Sequence, residues 1–179
     1  KGRQVPQLCT KCVELAERYS ELWYSEWPEW RLYHRKIGRM VEGEYGGSIT
    51  SFGNGLVRGN VQFTNAANHF FQNLAAQGAK RAGYRVAKEM YCDPLSPLWN
   101  SRIVVFVHVE LFAEMPEEIG HLAGDRMALI MRETMQELVP DVRIDAEPAL
   151  MRRWSKKADT VRDANGKLLV WELEVRMAA

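Results

Sequence analysis

At 179 residues, with 46% apolar and 26% charged side chains, the chain has the composition of an ordinary globular protein with room for one domain and a sizeable core. A formal net charge of +1 excludes global attraction to nucleic acid, so any such binding has to come from a local basic face. No apolar run approaches the ~20 residues of a membrane span and the first residues lack a signal-peptide core, which points to a cytoplasmic protein with no membrane partner.

The chain begins at Lys1 rather than Met, as a fragment of something longer would. From about Pro6 to Glu26, Cys12, Leu15, Ala16, Tyr19, Leu22 and Trp23 recur at three-four spacing and predict an amphipathic helix. Cys9-x-x-Cys12 is half of a zinc site, whose second Cys pair is missing, a redox motif, whose preceding strand is missing, or a pair of small core residues on that helix, which the pattern favours. Trp27-Pro28 interrupts it, and Pro28 suits the first turn of a second helix reaching about Val41. On this helix Arg31, His34, Arg35, Lys36 and Arg39 form a basic cluster that either tracks phosphates or is a solvated face.

Between Gly46 and Val61, Asn54-Gly55 favours positive φ and predicts a hairpin turn between strands near Gly47–Phe52 and Leu56–Gln62. Arg58 on the second strand is a phosphate contact or an ordinary strand-edge charge. A long helix is then predicted over Thr64–Tyr91. Asn68 and Gln72, four apart, share one face of it, and Ala75, Ala76, Gly78, Ala79, Ala82 and Gly83 leave its middle small-sided, so that another backbone can come close. Asn and Gln both donate and accept, which suits the acceptors at the minor-groove edge of a base pair; the alternative is a polar face turned to water.

After a loop over Asp93–Pro97 come Ile103-Val104-Val105-Phe106-Val107 and Leu111-Phe112-Ala113-Glu114-Met115, two β-rich runs flanking a short polar break. They predict a tight hairpin with His108, Val109 and Glu110 at its tip. A His and a Glu held between two buried strands are suited to being aimed at a substrate, or else belong to an ordinary core hairpin. Pro116-Glu117-Glu118 opens a helix that keeps its spacing from Ile119 to Leu138 and should pack on the hairpin. Arg143–Glu147 alternates as a short strand ended by Pro148. Arg152, Arg153, Lys156 and Lys157 form a second basic cluster around Trp154, and Asp163-Ala164-Asn165-Gly166 reads as a turn between two short runs.

The string Phe106-Val107-His108-Val109-Glu110-Leu111 resembles the third conserved motif of family A DNA polymerases, a strand-turn-strand reading apolar-Val-His-Asp-Glu-Leu. Ala66-Ala67-Asn68-His69-Phe70-Phe71-Gln72-Asn73-Leu74-Ala75-Ala76 is similar to the helix that precedes that motif in the family, and the Trp154 to Glu172 ending is similar to the C-terminus of its phage-type members. Residues 173–179 fit that ending poorly and read as a non-native tail.

The resemblance spans nearly the whole chain and implies the C-terminal palm region of such a polymerase, a single domain over residues 1–179. The implied fold is α+β, an antiparallel palm-like sheet with helices mainly on one face. In the family, the motif's Asp binds one of two catalytic Mg²⁺ ions, the His lies near the primer end and the Glu supports the metal site. Here His108 and Glu110 keep their places and Val109 stands where the Asp would be, without an oxygen for a hard cation. The family's Asn and Gln contact primer-template DNA, a role that falls to Asn68 and Gln72.

The intact family enzyme works by two-metal phosphoryl transfer. Its other metal-binding Asp and the basic fingers helix lie upstream of the region matched, so the resemblance implies no bound Mg²⁺ and negligible polymerase activity for this chain alone. It also implies primer-template DNA as partner, with an upstream polymerase segment or a second copy completing the sheet. A non-catalytic DNA-binding or scaffold module on the same fold is the reading from a different functional class, and an unrelated α+β protein is the third.

Overall fold

A computed structural model describes residues 9–42, 46–51, 53–107 and 109–172. The architecture is mixed α+β. Among the described residues, four α-helices accompany three small sheets, of two, two and three strands. The single antiparallel sheet expected from the resemblance is not what these strands form, since each pairs only within its own small group. No described helix is long and apolar enough to cross a membrane. The chain divides into two compact units, residues up to Phe70 and from Phe71 on.

In the first unit, α2 (Pro28–Met40) starts where Pro28 places it, in the first turn, while α1 (Thr10–Glu26) ends at the expected Glu26 but begins after an extended Cys9 rather than near Pro6, which lies outside the described residues. The helices meet through aromatic side chains. Trp23 lies against Trp30 with ring centroids 5.6 Å apart, and the Tyr24 hydroxyl and His34 Nδ1 are hydrogen-bonded at 2.7 Å. The apolar stripe of α1 is otherwise open, and no residue of that helix is buried.

Strands β1 (Gly47–Thr50) and β2 (Val57–Val61) pair antiparallel, as Asn54-Gly55 predicts. The Asn54 side chain accepts the Leu56 N–H at 3.0 Å, and Gly55 takes a φ of +66° that a side chain would resist. Ile37, Ile49, Val61 and Ala66 make the core of this unit, flanked by Tyr33, Met40 and Phe70.

The long helix α3 (Phe63–Cys92) runs two residues longer than Thr64–Tyr91. Its small middle does work for the second unit. A Cβ on Gly78 would overlap the sulfur of Met135, and the nearest atom to one on Gly83 is Leu111 Cδ2. What approaches α3 there is therefore side chains of α4 and β4 rather than another backbone.

Strands β3 (Arg102–Val107) and β4 (Glu110–Glu114) form the expected hairpin. Val107 pairs with Glu110, so the link is residues 108 and 109 alone and Glu110 belongs to the strand. A bulge falls between Ile103 and Val105. A 3₁₀ turn (Glu117–Ile119) leads into α4 (Gly120–Leu138). Val86, Met90, Leu98, Ala123 and Ile130 form the core of this unit, with Ile103, Leu111, Ala113 and Met115 from the hairpin packed against it.

The strand expected at Arg143–Glu147 is absent; those residues are irregular, and β5 (Leu150–Met151) begins after Pro148. The Gln136 side chain organises the approach to this segment. Gln136 Nε2 donates to the carbonyls of Val139, Pro140 and Val142, while its Oε1 accepts the Ile144 N–H. The turn before the expected strand is thereby held to α4, and within the segment itself the Ile144 N–H is satisfied by a side chain rather than by a ladder. Strands β6 (Val161–Arg162) and β7 (Leu168–Trp171) flank the Asp163–Gly166 turn, in which Asp163 Oδ1 accepts from Asn165 and Lys167. The sheet order is β5-β7-β6, with β5 and β7 parallel. Leu168 from β7 is buried below Gly124 of α4.

Candidate functional site

The hairpin tip and the Asn–Gln face of α3 carry the residues singled out from sequence. His108 lies outside the described residues. Val109 is half exposed at the tip, and Glu110, the first residue of β4, is exposed beside it. The strands behind them are less covered than an apolar run suggests: Val104, Val105, Phe106 and Val107 are all 42–53% exposed. Residues on both faces of β3 are thus open to solvent, because among the described strands β3 pairs only with β4. The base of the hairpin is anchored by its core contacts, and Arg102 pairs with Glu114 across it.

The tip offers Mg²⁺ a poor set of donors. Val109 presents hydrocarbon where a carboxylate would be needed. Glu110 is one carboxylate, and Mg²⁺ held by a protein generally needs further carboxylate or phosphate oxygens. The residues present do not fit the two-metal centre, and no chemical step is assigned to it.

Asn68 and Gln72 are both exposed and one turn apart on α3. The helix is fixed beside Asn68 by its neighbours in the first unit. His69 is buried and hydrogen-bonded to Ser51 Oγ at 2.6 Å, and the Tyr33 hydroxyl donates to the Ala67 carbonyl at 2.6 Å. Burial holds the Tyr33 phenol above its ordinary pKa, so the hydroxyl remains a donor in neutral solution. Asn68 is thus exposed on a segment whose neighbours Ala67 and His69 are hydrogen-bonded within the first unit.

The basic cluster of α2 splits into two groups. Arg31 is engaged with α1, bonded to Glu21 at 2.8 Å and stacked over the Tyr24 ring, and His34 is bonded to Tyr24. Arg35, Lys36 and Arg39 are exposed on the same helix, and Arg58 is exposed on β2. These four cations and Asn68 belong to the first unit, whereas Gln72, Val109 and Glu110 belong to the second.

Sequence reasoning missed two features of the second unit. The first is a clamp between α3 and α4. Arg126 donates through Nε and Nη2 to both oxygens of Glu89, which also accepts from Ser96 Oγ at 2.7 Å. The Arg126 hydrogen bonds come first among the causes that hold the Glu89 carboxyl below the usual glutamate range. A parallel pair, Arg85 with Glu137, lies on the same two helices, and Arg85, Glu89 and Arg126 border a groove of about 380 Å³. Matched Arg and Glu residues on two helices gave a signal only once the helices were known to be neighbours.

The second is the position of the C-terminal basic loop. Trp154, largely exposed, meets Phe112 of β4 edge-on, with centroids 6.3 Å apart. Arg153, Lys156 and Lys157 are exposed around it, while Arg152 is taken up by Glu117 and Glu172. The cluster was visible in the sequence, but its proximity to the hairpin was not.

Comparison with protein-family models, with characterised proteins and with solved structures returned no match.

Proposed function

We propose that this chain is the C-terminal palm portion of a family A-type DNA polymerase, which holds primer-template DNA and adds no nucleotides by itself. The observation that carries this reading is the hairpin. Its two-residue link puts position 109 at the tip and Glu110 directly after it, downstream of a helix that exposes Asn68 and Gln72 on one face. Asn68 and Gln72 would read the minor-groove edge of the primer-template duplex, and Arg35, Lys36 and Arg58 would meet its phosphates. His108, Val109 and Glu110 would stand at the primer end.

The palm-like sheet belongs to this proposal too. A strand such as β3, apolar on both faces and open at an edge, resembles an interior strand without its neighbour. An upstream polymerase segment or a second copy would supply that neighbour, in the cytoplasm of a bacterial or phage-infected cell. Val109 favours a second reading, a DNA-binding or scaffold module that has given up the chemistry.

Fluorescence anisotropy with a labelled primer-template tests what the two readings share. The chain should bind with a strong salt dependence, and the N68A/Q72A double variant should bind about tenfold more weakly, as loss of base-edge contacts does. Unchanged affinity in that variant would refute both. Primer extension with V109D and the upstream segment supplied separates them. Metal-dependent nucleotide addition supports the polymerase; its absence with DNA binding intact supports the scaffold.

A further inference from the structure

The start of α1 holds two thiols within bonding reach of each other. Cys9 is the N-cap of this 17-residue helix, with extended backbone angles, and its sulfur accepts the Cys12 N–H at 3.3 Å. The Cys12 sulfur, one turn later, lies 2.9 Å from the Cys9 sulfur, within S–H···S hydrogen-bond distance. Both side chains are exposed, so an external reagent can reach either. The sequence alone favours core residues over half a zinc site or a redox motif, the last because no strand precedes the pair; the core reading fails, because α1 buries nothing.

The two thiols are not equivalent. The Cys12 hydrogen bond, followed by the backbone N–H groups of Cys12 and Lys11, holds the Cys9 thiol below its ordinary pKa. The same hydrogen bond pushes the Cys12 thiol up. The partial positive charge of the helix N-terminus acts on Cys9 in the same direction. An accessible thiolate with a second thiol as its donor is the arrangement of a nucleophile and its resolving partner.

We propose that Cys9 and Cys12 form a redox-active dithiol that exchanges with low-molecular-weight disulfides to close an intramolecular disulfide. The Cys9 thiolate attacks one sulfur of the disulfide RSSR, the S–S bond of the reagent breaks, and RS⁻ leaves and takes up a proton. Cys12 then loses its proton to solvent and attacks the Cys9 sulfur of the mixed disulfide, expelling the second RS⁻. Two protein thiols are oxidised to one disulfide, and one external disulfide is reduced to two thiols. The ordinary S–S bond of ~2.05 Å is within a small side-chain movement of the present geometry. Nothing in this inference depends on the polymerase reading.

Lys11 makes the test direct. Trypsin cuts after it, so the reduced protein releases Cys9 and Cys12 on separate peptides, Gln4–Lys11 and Cys12–Arg18, whereas the disulfide keeps them joined. The full chain is equilibrated in glutathione buffers of increasing oxidised fraction, quenched with acid, alkylated and digested. The expected result is a Cys9–Cys12 linked pair that accumulates with oxidised glutathione and disappears with dithiothreitol. C12S should instead trap glutathione on Cys9, and C9S should take it up on Cys12 about tenfold more slowly, because the more acidic thiol carries the attack. Serine is itself a good N-cap, so C9S retains α1, which far-UV circular dichroism verifies. Absence of the linked pair at full oxidation, linkage to Cys92 in its place, or equal glutathione uptake by the two variants would overturn the proposal.

Discussion

Arg126 and Glu89 join α4 to α3 where the chain turns toward the hairpin, and the strength of this clamp can be worked out from its geometry. Two N–H donors of one guanidinium meet both oxygens of one carboxylate, and Ser96 adds a third hydrogen bond. Hydrogen bonds to charged groups contribute about 1.5–3 kcal/mol when shielded, whereas an exposed ion pair contributes only about 0–1 kcal/mol. Glu89 is 19% exposed and Arg126 35%, so the pair falls between these limits. A coupling of about 1–2 kcal/mol is expected from a double-mutant cycle of E89Q and R126M, measured by urea unfolding at pH 7.

R126M alone should cost more than E89Q, because it strands a mostly buried carboxylate. The pH dependence has a definite sign. Glu89 titrates lower in the folded protein than in the unfolded chain, so its contribution is complete above the unfolded glutamate value of about 4.3 and fades as pH falls through the folded one. The coupling should therefore be flat from pH 7 to about 5 and decline under more acidic conditions. A coupling below about 0.5 kcal/mol at pH 7, the level of an ordinary surface pair, or one that survives unchanged to pH 2, would refute the reasoning.

Three further outcomes are expected. Leu98 is fully buried in the core of the second unit, and L98A should lower stability by about 2–5 kcal/mol in the same urea assay. A Cβ on Gly47 would overlap the Met40 carbonyl oxygen and come within 2.7 Å of Val41 Cα, both backbone atoms, so G47A should destabilise the β1–β2 hairpin by about 1–3 kcal/mol, whereas G55S should strain only the turn. On the proposed DNA-binding role, R35A and K36A should weaken binding similarly for all sequences, each lowering the slope of log affinity against log salt by about 1; an unchanged slope would remove those residues from the interface.

Local sequence signals determine the elements because each depends on neighbours along the chain. Pro28 opens α2, Asn54-Gly55 turns one hairpin, Asp163 and Gly166 turn another, and the apolar runs on either side of residues 108–110 pair as β3 and β4. The candidate DNA contacts on α3 could likewise be assigned to one helical face by counting alone. Arg143–Glu147 shows where counting fails: its alternation suits a strand, but the segment is irregular and its Ile144 N–H is bonded to the Gln136 side chain.

Tertiary structure alone decided which apolar residues are buried. The stripe on α1 and the run Val104–Val107 look like core in the sequence, yet both are open to solvent, because burial depends on a partner surface that periodicity does not specify. It likewise selected Arg126 for Glu89 and set Trp154 against Phe112. Sequence spacing determines which side chains share a face; only the folded chain determines what that face meets.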